Sequence, residues 1–122
     1  MKKVEAIIRP ERLQSVQDSL DQLGVSGLTV TEVVGCGRTK GYTEQYRGTR
    51  VNISLLHKIK IEAVVPEDAV NETVEAIVRG AHTGETGDGR VFVSPIDQAV
   101  RIRTGETGED SVRHEAPVGW GH

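Results

Sequence analysis

The chain has a single cysteine, Cys36, and only 3% of its residues are aromatic. One cysteine excludes an intrachain disulfide framework and fits a reducing compartment. Set between Gly35 and Gly37, with no histidine close by to activate it, Cys36 reads as a small space-filler and not as a nucleophile. The scarcity of aromatics removes the stacking platforms by which single-stranded nucleic acid is held. No stretch approaches the roughly 18 consecutive apolar residues of a membrane-spanning helix. Met1-Lys2-Lys3 leads into alternating, strand-like sequence instead of a signal peptide, so the cytoplasm is the expected location. Neither sign of charge dominates: 15 basic and 18 acidic residues leave a net charge of -3, which gives no reason to expect nucleic acid as a partner. A length of 122 residues fits one domain and leaves no room for a second, catalytic one.

Within that frame the chain runs twice through the same pattern. Lys3 to Arg9 carries the apolar run Val4, Ala6, Ile7, Ile8 and stops at Pro10, which reads as a strand. From Glu11 to Leu23, Leu13, Val16, Leu20 and Leu23 fall three and four apart, one face of a helix closed by Gly24. Leu28 to Val34 is β-branched and alternating, a second strand. Ile59 to Val65 is again a strand, Pro66 breaks it, and Glu67 to Arg79 places Val70, Val74, Ile77 and Val78 on a helical face before Gly80. Short strands follow at Val91 to Val93 and Ala99 to Arg103. Even the letters repeat, Glu5-Ala6 to Pro10-Glu11 against Glu62-Ala63 to Pro66-Glu67. Two strand-helix-strand units in so short a chain predict an α+β fold of the ferredoxin-like split βαβ type, an open sheet with both helices on one face. The uncovered sheet face then calls for a second subunit.

Between the units lies Gly35 to His57. A structureless connection beyond about 12 to 15 residues is uncommon unless it is functional or disordered. A plain linker is the alternative, but this one is basic and carries Tyr42 and Tyr46, which is not linker composition. From Cys36 to Lys60 six Lys or Arg face one acid, Glu44, a local net of +5 that would draw an anion or an acidic surface. The end of the chain, Gly105 to His122, is rich in Gly, Glu and Thr and reads as a loose tail. His114 and His122 lie in it without the Cys or His spacing of a zinc site, so no metal site is expected there.

Chemistry concentrates in the last third. Gly87-Asp88-Gly89-Arg90 follows the second helix, and its glycines let backbone N–H groups converge on an anion while Arg90 adds charge. Alone this is also what any tight turn looks like. Arg101-Ile102-Arg103, read with the two-residue period of a strand, would put both guanidiniums on one face as a claw for phosphate oxygens, or on a solvated sheet edge. Together the two features favour a polyphosphate ligand.

The run Thr83-Gly84-Glu85-Thr86-Gly87-Asp88-Gly89-Arg90-Val91-Phe92 resembles, position by position, the carboxy-terminal signature of the PII nitrogen-signalling proteins. The opening Met1 to Pro10, the run Gly27 to Val33, the loop piece Gly41 to Gly48 and Arg101 to Glu106 are similar to that family too, so the resemblance spans residues 1–108 and leaves 109–122 as a tail. It implies a homotrimer with three nucleotide clefts between subunits and a protruding T-loop, about residues 37–57, that docks on target proteins. Ile7, Thr29, Glu62 and Val64 would hold adenine and ribose. Gly35, Gly37, Arg38, Gly87, Asp88, Gly89 and Arg90 would surround the phosphates of ATP or ADP, with Arg101 and Arg103 reaching in from a neighbouring subunit. Lys58 would pair with the terminal phosphate and with a 2-oxoglutarate carboxylate. Tyr42, Glu44, Tyr46, Arg47 and Thr49 would face the target, an ammonium channel plugged by Arg47 or an enzyme of nitrogen metabolism.

The chain departs from the family's pattern in places. Thr39 stands where a glutamine amide coordinates Mg²⁺ beside ATP and 2-oxoglutarate, and its shorter side chain reaches less far. Val51 replaces the tyrosine that many bacterial members have uridylylated, Thr49 stands where some relatives carry a phosphorylated serine, and Arg90 keeps the charge of the usual lysine while adding a fork. The reading is therefore a sensor and not an enzyme. A nucleotide hydrolase would have only Asp88 or Glu62 as a base near the turn and lacks a Walker-type lysine loop. A PII-like regulator of another transporter, such as one for bicarbonate, sensing adenine nucleotides alone, is the alternative.

Overall fold

The computed structural model describes residues 1–25, 27–37, 44–46, 49–51 and 54–113, without the side chains of 44–46, 49–51 and 54. Strand β1 (Lys2–Ile8) alternates as its sequence demands, with Val4, Ala6 and Ile8 buried and the residues between them half-buried. Pro10 starts a single 3₁₀ turn, Pro10–Arg12, which feeds α1 (Leu13–Gln22). Gly24, at a φ of 78°, closes that helix in a conformation costly for any residue with a Cβ. Strand β2 (Thr29–Gly37) follows, then the short β3 (Glu44–Tyr46) and β4 (Thr49–Val51), which pair with each other. Strand β5 (Ser54–Val65) leads through a second proline-initiated 3₁₀ turn to α2 (Val70–Ala81), and β6 (Arg90–Pro95) completes the main sheet.

The sheet order is β2-β5-β1-β6, with every neighbouring pair antiparallel. Each strand-helix-strand unit therefore spans a strand of the other unit, which is the ferredoxin-like arrangement expected from the repeated pattern. Val4, Ala6 and Ile8 of β1 and Ile59, Ile61, Ala63 and Val65 of β5 form the sheet's contribution to the core. Val16 and Leu20 of α1 and Ala76, Ile77 and Ala81 of α2 close it from the one face that carries helices. The only buried polar side chain among the described residues, Thr73, bonds its hydroxyl to the Ala69 carbonyl at 2.7 Å and so leaves no orphaned donor. No described helix is long and apolar enough to cross a membrane.

Three expectations are corrected. Of the expected α2 face, Ile77 is buried and Val70 and Val74 pack against the core, but Val78 stays 49% exposed, and the buried positions are Thr73, Ala76, Ile77, Gly80 and Ala81. The apolar letters mislead there because the helix pair closes on small residues: a Cβ on Gly80 would lie 2.8 Å from the Val16 Cα, so α1 and α2 touch backbone to backbone. The connection Gly35 to His57 is narrower than a free loop, because β2 continues to Gly37 and pairs there with Ser54. Ala99 to Arg103 is not a strand. Only Val100 bridges to Thr107, around a turn in which the Gly105 N–H reaches the Arg101 carbonyl at 2.7 Å.

The second sheet face carries no helix. Lys3, Glu5, Lys60 and Glu62 alternate on it at 3.5 to 3.7 Å with Ile7, Val64 and the 52%-exposed Phe92 nearby in the register. Half-exposed pairs of this kind contribute little to stability and leave the face available for contact.

Helix propensity alone would favour Gly80→Ala by about 1 kcal/mol. The added methyl would meet the α1 backbone, which cannot rotate away, and overpacking costs about 1–3 kcal/mol. Gly80→Ala should therefore lower the midpoint of denaturant unfolding, measured by circular dichroism, while an exposed helix substitution such as Glu75→Ala should leave it nearly unchanged.

Candidate functional site

The turn between α2 and β6 is organised by one carboxylate. Asp88 Oδ2 accepts the N–H groups of Thr83 at 2.9 Å and Gly84 at 3.0 Å. Its Oδ1 accepts the Thr83 hydroxyl and, at 3.1 Å, the Arg9 Nε. The Thr83 hydroxyl, and then its N–H, hold the Asp88 carboxyl well below the usual carboxylate range, against an opposing effect of burial, with Gly84 and Arg9 adding to the lowering. Asp88 thus shapes the turn and faces its donors instead of an incoming anion.

Glycine is required at two places in this turn. A Cβ on Gly89 would sit 1.7 Å from the Ile7 carbonyl oxygen, inside its van der Waals radius, and the backbone φ of 96° is unfavourable to any other residue. Gly89 therefore lets the turn press onto β1 just where Arg90 begins its pairing with Ile7. At Gly87, φ 105°, a Cβ would lie 3.2 Å from an Arg9 nitrogen and 3.6 Å from the Lys58 Nζ. Lys58 donates to the Gly87 carbonyl at 2.5 Å, and Arg9 donates to the Thr86 carbonyl at 2.8 Å. Two cations therefore flank one glycine in a backbone turn, with Arg90 three residues on in the sequence.

Arg9 was not among the residues singled out from the sequence. Its place at the end of β1, immediately before Pro10, was the available signal: β1 and β6 are antiparallel, so the end of β1 must adjoin the start of β6. Gly35 pairs with Leu56 near this region, and its missing side chain leaves the Lys58 stem 3.9 Å away. Gly37 pairs with Ser54. Arg38, Thr39, Tyr42 and Arg47 lie outside the described residues. Glu44, Tyr46 and Thr49 are placed by backbone alone, on the β3–β4 hairpin, with Tyr46 opposite Thr49.

A second group gathers elsewhere. A cleft of about 770 Å³ is lined by Thr29, Glu62, Val64 and Arg101, with Lys3 on its floor and Ser111 to Arg113 as a wall. Thr29 and Glu62 are direct cross-strand neighbours, which fixes their side chains on one face of the sheet. Lys58 precedes Glu62 by four residues and Val64 by six on β5, so at ~3.3 Å per residue the Lys58 position and the cleft stand about 13 to 20 Å apart along that strand. No residue of the Thr83 to Arg90 turn lines the cleft.

The paired claw of Arg101 and Arg103 is not formed as a strand would form it. The Gly105 backbone, at a φ of 77°, turns the chain back after Arg103. Arg101 is drawn inward, donating to a Glu106 oxygen at 2.6 Å and to the carbonyls of Asp110 at 3.2 Å and Arg113 at 2.9 Å. Arg103 is exposed, two residues along the turn. Beyond residue 108 the chain stays on the body as far as Arg113: a 3₁₀ turn, Gly108–Ser111, brings Glu109 to the Glu67 N–H at 3.2 Å and to the Met1 amine at 3.4 Å.

The depressed Asp88 carboxyl sets a pH dependence. Its stabilising effect is complete above the ordinary aspartate value of ~3.9 and fades only as pH falls below that, through the lowered folded value. The stability difference between the wild type and Asp88→Asn should therefore be constant from about pH 8 to 5 and shrink towards strong acid. Urea unfolding at a series of pH values measures it, and a difference that grows on acidification would contradict this assignment.

Comparison with known proteins agrees with the geometry. The family model for Nitrogen regulatory protein P-II matches residues 1–106. The chain is 55% identical over 112 residues to a nitrogen regulatory protein P-II of Cereibacter sphaeroides, and 50% identical over the same span to one of Azospirillum brasilense. In both cases the alignment takes in 92% of this chain and all of the relative. A crystal structure of Arabidopsis thaliana PII bound to citrate superposes with a TM-score of 0.76 at 37% identity, covering 96% of this chain and 94% of the other. These relatives carry the name of regulators and not of enzymes. Match, fold and signature turn coincide on the same residues, and the chain belongs to the nitrogen regulatory protein P-II family.

Proposed function

We propose that the chain is a non-enzymatic sensor that binds ATP or ADP and reports which is bound through the segment between β2 and β5. The observation that carries this is the glycine turn at 87–89 with Arg9 and Lys58 against it and Arg90 beside it. Such a turn suits a polyphosphate: backbone and cations together hold charged oxygens with no need for a nucleophile or a base. The cleft at Thr29, Glu62, Val64 and Arg101 offers half-buried apolar and polar surface for a base and a sugar. The two lie at different places along β5 and no residue of the turn lines the cleft, so the complete site is best built by two copies, the cleft of one meeting the turn of the next in a homotrimer. The open sheet face supports this, since no helix of the described residues covers it.

Mg²⁺ would arrive with the triphosphate. Asp88 is committed to its four donors, and among the described residues no three His, Cys, Asp or Glu side chains gather around one point. For 2-oxoglutarate, Lys58 supplies the cation and Thr39 the weak point. The regulator's output would be docking of the T-loop, through Tyr42, Glu44, Tyr46, Arg47 and Thr49, on an ammonium channel or a nitrogen-metabolism enzyme in the cytoplasm. Thr39 favours, as a second reading, a PII-like protein that senses adenine nucleotides only and serves another transporter.

The two nucleotides shift the loop only if they bind its conformers with different affinity. Calorimetry should find both ATP and ADP at micromolar concentration, and absence of binding would sink the sensor reading. Removing a hydrogen-bonded charge should cost about 10- to 100-fold, so Lys58→Ala should weaken ATP by that factor. Titration of 2-oxoglutarate with Mg-ATP should show a weak response that Thr39→Gln strengthens. A target captured by the wild type but not by Arg47→Ala would place the loop tip at the interface.

A further inference from the structure

Arg101 lines the cleft and also ties down the C-terminal segment by three hydrogen bonds of its guanidinium. Its side chain is 15% exposed. One end of the guanidinium holds Glu106 at 2.6 Å, and the other holds the carbonyls of Asp110 and Arg113. Glu106 is itself set for this: its carboxylate accepts the Thr104 hydroxyl at 2.8 Å, and the same hydroxyl accepts the Glu106 N–H at 3.2 Å. The turn is braced by two backbone bonds, Arg101 N–H to the Glu106 carbonyl at 2.8 Å and Gly105 N–H to the Arg101 carbonyl. The Thr104 hydroxyl, with the charges of Arg101 and Arg103, lowers the Glu106 pKa, so this carboxylate is ionised wherever the protein is folded near neutral pH.

A guanidinium has five N–H donors in a rigid planar fork, and a phosphate takes it by an edge, as a carboxylate does. Glu106 and the two carbonyls take three of those five donors, so a phosphate that takes the guanidinium by its Nη1–Nη2 edge displaces Glu106, the carbonyls, or all three. We propose that Glu106 is a positioning residue that competes with the bound nucleotide for Arg101, and that the phosphate which takes Arg101 releases the segment Gly108–Arg113 from the cleft wall. This rests on the nucleotide reading above. The remaining ties of that segment are weak by comparison. Arg113 meets Asp68 at 4.0 Å and Glu109 at 3.5 Å, exposed pairs of the kind that add little, while Glu109 holds the Glu67 N–H and, at 3.4 Å, the Met1 amine, and the Gly108 N–H reaches the Ala99 carbonyl at 3.0 Å. Coupling of this sort is reciprocal, so whatever holds the released segment away from the cleft also tightens the nucleotide.

Glu106→Gln in the full chain separates the possibilities, since it keeps the size and the contact with Thr104 but removes the competing charge. An exposed ion pair is worth about two- to fivefold, and ATP affinity by calorimetry should rise by that factor in Glu106→Gln. Trypsin cleavage after Arg113 should be faster for the wild type with ATP than without it, and faster for the ligand-free variant than for the ligand-free wild type. A residue that only braced the turn would give the opposite sign, with weaker ATP binding on its removal. Equal or weaker binding by the variant, or no effect of ATP on cleavage after Arg113 in a wild type that binds ATP, overturns the inference and leaves the sensor reading standing. A wild type that binds no ATP overturns both.

Discussion

Much of this molecule depends on a carboxylate whose two oxygens are both met by donors from its own chain. Asp88 gathers two N–H groups, a hydroxyl and a guanidinium, and in doing so fixes the path of the chain from the end of α2 to the start of β6. An aspartate beside an anion site would ordinarily repel the ligand. Here its charge is met by Arg9 and by converging dipoles, so what remains at the surface of the turn is positive. The close approach at Gly89 depends on the same arrangement, since only a chain held on this path brings the glycine against the Ile7 carbonyl. Strand pairing, turn shape and local charge are consequently one constraint and not three.

The two halves of the candidate site divide the labour of recognition differently. On the proposed reading, the turn would recognise charge through backbone geometry and fixed cations, with little discrimination among polyphosphates. The cleft, with Thr29 and Glu62 side by side across a strand pair, supplies direction and shape. Their separation along β5 would give the proposed regulator a useful property: a ligand that needed both would be sensitive to how copies of the chain meet. Thr39 and Val51 leave the charge-recognising half untouched while altering what the loop between β2 and β5 can coordinate or carry.

The fold was legible because its signals are local and periodic. Val4, Ala6 and Ile8 alternate, Val16 and Leu20 repeat at helical spacing, and two prolines mark where each strand must yield to a helix. The signature turn was legible because glycines at 84, 87 and 89 have few other uses. What escaped was non-local. Arg9 acquires its partner 79 residues away, across a register that no spacing rule reveals. Arg101 and Arg103 read as a strand because their alternation is strand-like, but Gly105 folds the chain back and turns Arg101 towards Glu106. On α2 the packing surface was set by Gly80 and Ala81, residues too small to count in a hydrophobic pattern.

Strand β1 lies inside the sheet, between β5 and β6, although it leads the sequence. Its outermost pairing joins Lys2 to Pro95, so the first strand to be synthesised waits for almost the last. Closing so long a loop is entropically costly before any contact rewards it, and sheets built this way fold slowly. The turn at Gly87 to Gly89 sits directly ahead of β6 and takes its shape only against the finished β1. A chain thus completes this turn together with its closed sheet, and a copy whose β6 is missing or out of register would lack the turn's support on β1.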